Sequence, residues 1–296
     1  MYKPIIYTSE YLRTTTETSE VAGALSLALC DLGIEHRELS HTNDYWVRDF
    51  MPVHIIGDLY AKYEYCPDYL KGKKQYLTRQ EDVCQGINMH FLSDMGIIFD
   101  GGNYVRCGGK VIMTDKILME NAGYPICEMI SYLETALCAK IVLLPWDMAD
   151  PCGHTDGMVA DLGDGKLLLN NYGQHRRMKA FYHRLKKILM PYFEIVDLSY
   201  NCALEKDSWC YLNFLKVPGG VLLPCLSKDF SCPNDKAAID LFEHLFIGER
   251  IIPIYAKPLI EQGGALHCVT WEYYKQDFFP ETLPVNYVER VVSDGR

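Results

Sequence analysis

The stretch Pro151-Cys152-Gly153-His154-Thr155-Asp156-Gly157 sets an imidazole and a carboxylate two residues apart between glycines, at the start of an apolar run. On an extended chain, residues two apart face the same side, so this spacing aims His154 and Asp156 together into one cavity. The glycines leave room for a close approach. An isolated His-x-Asp is more often a polar turn, and company distinguishes this one. Asp49 in Trp46-Val47-Arg48-Asp49, Asp100 before a double glycine, Asn213 in Tyr211-Leu212-Asn213-Phe214, and Cys268 after Gly263-Gly264-Ala265-Leu266-His267 complete a set. Carboxylates, an imidazole, an amide and a thiol are the parts of nucleophilic catalysis on a cation.

These anchors must be positioned by something regular. Asp49, Asp100, His154, Asn213 and Cys268 are separated by 51, 54, 59 and 55 residues, a period that marks repeated structural units. Each unit reads as helix, strand, polar motif, hairpin. Thr14 opens a capping box with Glu17, and Val21, Leu25, Leu29 and Leu32 recur at helical spacing. The patterns predict further helices over Thr78 to Leu92, Pro125 to Leu137, Gln174 to Leu189, and a last one capped by Asn234 and running to Phe246. Strands at Ile34 to Leu39, Gly96 to Phe99, Lys140 to Leu144, Glu194 to Leu198 and Arg250 to Ile254 lead into the next motif or follow the helix. Hairpins turn at Gly57-Asp58, Gly108-Gly109, Gly163-Asp164-Gly165 and Gly219-Gly220. One such unit cannot bury both faces of its sheet, so the five are expected to close into a ring with their motifs on one axis. No linker divides the chain, and residues 1–296 are expected to form one catalytic domain.

Composition narrows the ligand. With Lys+Arg 29 against Asp+Glu 39, the net charge of -10 disfavours nucleic acid and anionic membranes and suits a cationic small molecule. The 12 cysteines include no Cys-x-x-Cys pair, and no apolar run has the length of a signal peptide core or a membrane span; a cytoplasmic protein with free thiols is expected. The Gly-Gly pairs are hairpin turns with no phosphate-binding pattern around them. A metal site built from Cys152, His154, His267 and Cys268 is the least favoured alternative.

The five blocks, together with Pro218-Gly219-Gly220-Val221, lie in order over nearly the whole chain and resemble the guanidine-modifying superfamily, specifically the agmatine deiminase and bacterial-type peptidylarginine deiminase group. The resemblance implies an α/β fold, a five-bladed propeller, in which Cys268 attacks a guanidinium carbon and His154 shuttles protons. It gives Asp49 and Asp156 the guanidinium nitrogens and sets Trp46 against the substrate; Asn213 is read either as touching substrate or as capping and satisfying backbone groups, and His267 as positional. Asp100 stands where the family usually carries Glu, the partner that orients the histidine. No metal or cofactor is implied. The activity implied is hydrolysis of a guanidine to a ureido group and ammonia, with a small cationic guanidine as partner, a place in putrescine formation, and a homo-oligomer compatible with the chain. An amidinotransferase, which passes the amidino group to an amine, is the alternative; a silent guanidinium-binding protein is a third reading, disfavoured because binding needs no thiol. The segment Ala61-Lys62-Tyr63-Glu64-Tyr65-Cys66-Pro67-Asp68-Tyr69 is aromatic and acidic, and is expected either to form a rim suited to the amine of an agmatine-like substrate or to pack outside the ring.

Overall fold

The computed structural model describes residues 3–198 and 208–275, and these form five three-stranded sheets. Four of the sheets are a hairpin plus one strand, and the fifth joins strands from the two ends of the described chain. Val53–Ile56, Leu59–Glu64 and His90–Ile98 make one blade; Val105–Cys107, Lys110–Thr114 and Lys140–Leu144 the next. Val159–Gly163, Lys166–Leu169 and Glu194–Asp197 follow, then Leu215–Val217, Gly220–Cys225 and Arg250–Tyr255. In every blade the middle strand runs antiparallel to its hairpin partner and parallel to the third strand. A parallel return needs a crossover, which the intervening segment supplies.

The remaining blade closes the ring. Trp271–Tyr273 pairs antiparallel with Ile5–Ser9, which pairs in parallel with Glu35–Leu39. The two ends of the described chain therefore complete one sheet. The antiparallel edge strand of each of the five blades lines an axial cavity of about 510 Å³, with Val53, Val105, Val159, Lys216 and Trp271 among its walls. The fold is a five-unit α/β propeller.

Helices cover the outer faces because their apolar stripes need a sheet to bury against. In Thr16–Asp31, Val21, Leu25 and Leu29 are fully buried against Leu215, Val221 and Ile254. Its cap differs from the predicted box: Thr15, not Thr14, accepts from the Thr18 amide. The helices Ile126–Ala136 and Lys179–Leu189 fall where the patterns put them, the second starting late behind a 3-10 turn at Tyr172–Gln174. In Pro233–Leu245 the N-cap is Cys232, whose sulfur accepts from the Asp235 amide, and Asn234 sits inside the first turn.

The second crossover departs furthest from expectation. The helix predicted over Thr78 to Leu92 shrinks to Gln80–Val83. Gly86, at φ +84°, turns the chain out of helical geometry, and the strand begins at His90 instead of Gly96. Met95, Ile97 and Phe99 are buried while Gly96 is exposed, so the apolar spacing there belongs to a strand of period two. Cys107, Cys152, Cys225 and Cys268 are free thiols. No helix among the described residues is long and apolar enough to cross a membrane.

Candidate active site

All five anchors lie in the segments that lead into the axial strands, which is why they meet. Asp49 is carried by the short helix Val47–Phe50, Asp100 caps the 3-10 turn Gly101–Asn103, and Asp156 sits in the turn Thr155–Gly157. Asn213 follows the 3-10 helix Ser208–Leu212, and Cys268 precedes the closing strand. The side chains of all five, and of Asp156, are in buried residues.

His154 and Asp156 do not share an extended segment as their spacing suggests. The 3-10 turn between them sends them to different partners. His154 Nε2 lies 2.9 Å from Asp100 Oδ2, a contact that pairs charges although its alignment falls short of a hydrogen bond, and Nδ1 lies 4.0 Å from Asp49 Oδ1. Asp156 Oδ2 instead receives Asn213 Nδ2 at 3.1 Å and His267 Nδ1 at 2.8 Å, and lies 3.7 Å from Cys268 Sγ.

Asn213 organises the thiol. Its Oδ1 accepts from the backbone amides of Ala265 and Cys268, both at 3.1 Å, while its amide group holds Asp156. The side chain is spent on placing two other site residues. Arg48, missed as a site residue by spacing alone, ties this loop to its neighbour: its amide donates to the Cys268 carbonyl at 3.1 Å and its guanidinium pairs with Glu272 at 2.6 Å.

Two glycines are demanded by contact. A Cβ on Gly102 would stand 2.4 Å from His154 Nδ1, and one on Gly264 would stand 2.1 Å from Trp46 Cζ3. Trp46 therefore lies directly on the backbone before Cys268, its ring tilted 58° to that of Tyr45 with centroids 4.7 Å apart.

Charges in so small a buried space shift one another. Burial and the neighbouring Asp100 push the Asp49 carboxyl well above its ordinary range, and among the described residues its Oδ1 has no hydrogen-bond partner. Burial disfavours charge on His154, but the Asp100 and Asp49 carboxylates outweigh it and hold the imidazole protonated well above its usual range. Burial likewise opposes charge on Asp156, yet the His267 hydrogen bond and nearby cationic groups leave its carboxyl below the usual value. Burial, Asp156 and Asp49 push the Cys268 thiol well up. Cys152 is raised to about 12 by burial.

The alternative metal set does not assemble. Among the described residues, the group with ligand-bearing atoms gathered within 4.8 Å of one another is Asp49, Asp100 and His154, without Cys152, His267 or Cys268.

The segment Ala61 to Tyr69 reaches the site rather than packing outside the ring. The Tyr69 hydroxyl donates to Asp100. The acidic rim is not as expected, because Asp68 is paired with the buried Lys116 at 2.7 Å and Glu64 is exposed. Lys116 gave no sequence signal, standing in an otherwise ordinary short helix, Lys116–Glu120.

Comparison with known proteins agrees with this fold. The chain is 24% identical over 287 residues to the agmatine deiminase of Pseudomonas syringae, covering 77% of this chain and 74% of that enzyme. Its fold matches the C. jejuni agmatine deiminase structure at a TM-score of 0.72 with 15% identity, over 93% of this chain and 94% of that one. It matches the agmatine deiminase of Enterococcus faecalis at 0.68 with 17% identity, over 93% and 94%. The profile of the Porphyromonas-type peptidyl-arginine deiminase family matches residues 6–273, and the chain belongs to that family.

Proposed function

We propose that the chain is a deiminase that hydrolyses the guanidinium of a small arginine-derived, agmatine-like substrate to a ureido group and ammonia through a covalent intermediate on Cys268. The observation that carries the reading is the pair of buried carboxylates, Asp49 and Asp156, around a thiol and an imidazole, with Asp49 Oδ1 left without a hydrogen-bond partner among the described residues. A buried, unpaired carboxylate oxygen is costly, and a planar cation with N–H donors in a fork relieves it.

The chemistry follows from the charges. The guanidinium enters between Asp49 and Asp156, and its positive charge beside Cys268 favours loss of the thiol proton to solvent, giving the thiolate that the two carboxylates otherwise oppose. Sulfur attacks the guanidinium carbon. His154, held protonated, donates to one nitrogen, the C–N bond breaks and ammonia leaves, giving a thiouronium on Cys268. The now neutral imidazole takes a proton from water as its oxygen adds to the carbon; the C–S bond then breaks as the added hydroxyl loses its remaining proton to solvent, returning the thiolate and releasing the ureido product. Asp100 orients His154, Trp46 forms a wall beside the reacting group, and Asn213 sets Asp156 and the Cys268 loop. None of these steps calls on a cofactor or metal. The whole chain, 1–296, is taken as one catalytic domain, cytoplasmic and compatible with a homo-oligomer.

An agmatine-like tail is favoured because the segment Ala61 to Tyr69 offers no free cation to an α-carboxylate. Lys62 lies over the Phe91 ring, 4.2 Å from its centroid, and the neighbouring Lys116 is spent on Asp68 and the carbonyls of Pro151 and Cys152. Asp44, whose carboxyl burial raises to about 6, adds negative charge two residues before Trp46.

The test is a screen for ammonia and ureido product over agmatine, arginine, methylarginine and arginine peptides, with and without added amines. Agmatine is expected to give the highest kcat/KM, with ammonia yield unaffected by amines. Preference for arginine or its peptides transfers the reading to a free- or peptidyl-arginine deiminase, amine-dependent transfer makes it an amidinotransferase, and no turnover of any guanidine removes it.

A further inference from the structure

Tyr69 approaches the acid–base pair from outside the five motifs. Its hydroxyl donates to Asp100 Oδ2, and its ring stands edge-on to His154, with centroids 5.9 Å apart and planes at 77°. The direction of the chain behind it follows from the carboxylate. An ionised Asp100 only accepts, so the Tyr69 hydrogen is committed to it, and the Tyr65 hydroxyl 3.4 Å away is the donor to Tyr69. Asp100 Oδ1 accepts from the Gly102 amide at 3.0 Å. The oxygen that receives Tyr69 is the one that lies 2.9 Å from His154 Nε2.

The placement is enforced. Lys116 Nζ lies 4.9 Å from the centroid of the Tyr69 ring, pairs with Asp68 at 2.7 Å, and donates to the carbonyls of Pro151 and Cys152, each at 3.0 Å. One buried ammonium ties the loop carrying Tyr69 to the loop carrying His154.

We propose that Tyr69 is a positioning residue for the His154–Asp100 pair, its hydroxyl fixing the carboxylate and drawing charge from the oxygen that faces the imidazole. The proposal rests on the deiminase reading. A hydrogen bond to a carboxylate spreads its charge and weakens its hold on a neighbouring cation. Without the hydroxyl, Asp100 holds the imidazolium harder, and His154 becomes a poorer acid toward departing ammonia. The other groups facing the pair are Asp49 from its short helix, Asp150 and Cys152 from the preceding loop, Asp156 from the 3-10 turn, Glu120 from helix Lys116–Glu120, and Tyr63 from the strand before. All of them stay in place when only the Tyr69 oxygen is removed.

Tyr69→Phe is the test, since it keeps the ring under Lys116. Three changes are expected: kcat falls about tenfold with KM nearly unchanged, the descending limb of the kcat–pH profile moves to higher pH, and the His154 ring, followed by NMR of labelled histidine, deprotonates at higher pH than in the wild type. Tyr65→Phe gives a smaller change in the same direction. Tyr69→Leu, which also removes the ring, serves as the packing control and is expected to melt lower while Tyr69→Phe melts as the wild type. Unchanged kcat and an unchanged His154 midpoint in Tyr69→Phe overturn the proposal. If the wild type deiminates no guanidine, the functional reading fails, whereas the NMR midpoint still decides for or against Tyr69.

Discussion

Cys268 Sγ lies 3.7 Å from Asp156 Oδ2, so the proposed nucleophile faces a carboxylate rather than an imidazolium. Alone, this neighbour holds the proton on sulfur. With a guanidinium between them, the same carboxylate binds the cation that releases it. Asp156→Asn is therefore expected to move two observables in opposite directions. Alkylation of Cys268 by iodoacetamide near neutral pH speeds up, because a negative charge beside sulfur is gone, while KM for the guanidine rises about tenfold or more. Slower alkylation, or an unchanged KM, contradicts this account of the pair.

The pH profile follows from two raised groups. Asp49, pushed up by burial and Asp100, must ionise to accept the substrate cation, so kcat/KM climbs as pH rises through its elevated value. His154, held protonated by Asp100 and Asp49 against its burial, must carry a proton to release ammonia, so activity falls as pH rises through its own raised value. The product is a bell whose acid limb disappears in Asp49→Asn along with most of the substrate affinity. A flat profile through the acidic range in the wild type contradicts the role given to Asp49.

Close packing at the site is testable through glycine. Gly102→Ala drives a methyl to 2.4 Å from His154 Nδ1, and Gly264→Ala drives one to 2.1 Å from Trp46. Each is expected to lower kcat about a hundredfold by displacing a positioned ring, with the fold retained by circular dichroism. Wild-type turnover in Gly102→Ala contradicts the placement of His154.

Asp235 is a purely structural counterpart. Its carboxylate accepts from Tyr211 Oη and from the amides of Leu226 and Ser227, each at 2.8 Å, and from the Ser227 hydroxyl at 2.5 Å. Burial opposes its charge, but the donors win and its carboxyl sits below the ordinary value. The sign follows: this contribution is complete above the unfolded-state value and is lost as pH falls through the lower folded value. Asp235→Ala strands four donors and is expected to cost about 3 kcal/mol at neutral pH, measured by denaturant unfolding, with the difference from the wild type shrinking in acid. A difference that grows in acid contradicts the assignment.

The sequence was legible where a local rule had no competitor. Glycine turns between alternating apolar runs marked the hairpins, and the recurrence of polar anchors every fifty-odd residues marked the ring, because each anchor stands in the segment entering an axial strand. Thr78 to Leu92 misled because apolar residues around a turn at Gly86 mimic helical spacing, whereas pairing with Leu59–Glu64 decides the conformation from His90 onward. The candidate site was legible in its residue types and, through the family resemblance, in the pairing of Asp100 with His154, but not in the pairing of Asp156 with Cys268. That Asp156 serves Cys268 while Asp100 serves His154 depends on the 3-10 turn Thr155–Gly157. Arg48 with Glu272, and Lys116 with Asp68, are meetings across 224 and 48 residues that no local pattern announces.

The central claim is the sulfur–carbon bond, and rapid quenching of the enzyme with agmatine followed by intact-protein and peptide mass spectrometry tests it most directly. The expected result is a transient adduct of the substrate less ammonia on the Cys268 peptide, present in the wild type and absent, together with all turnover, from a folded Cys268→Ser variant. Ammonia release at the wild-type rate by Cys268→Ser, or an adduct carried by another cysteine, would contradict it.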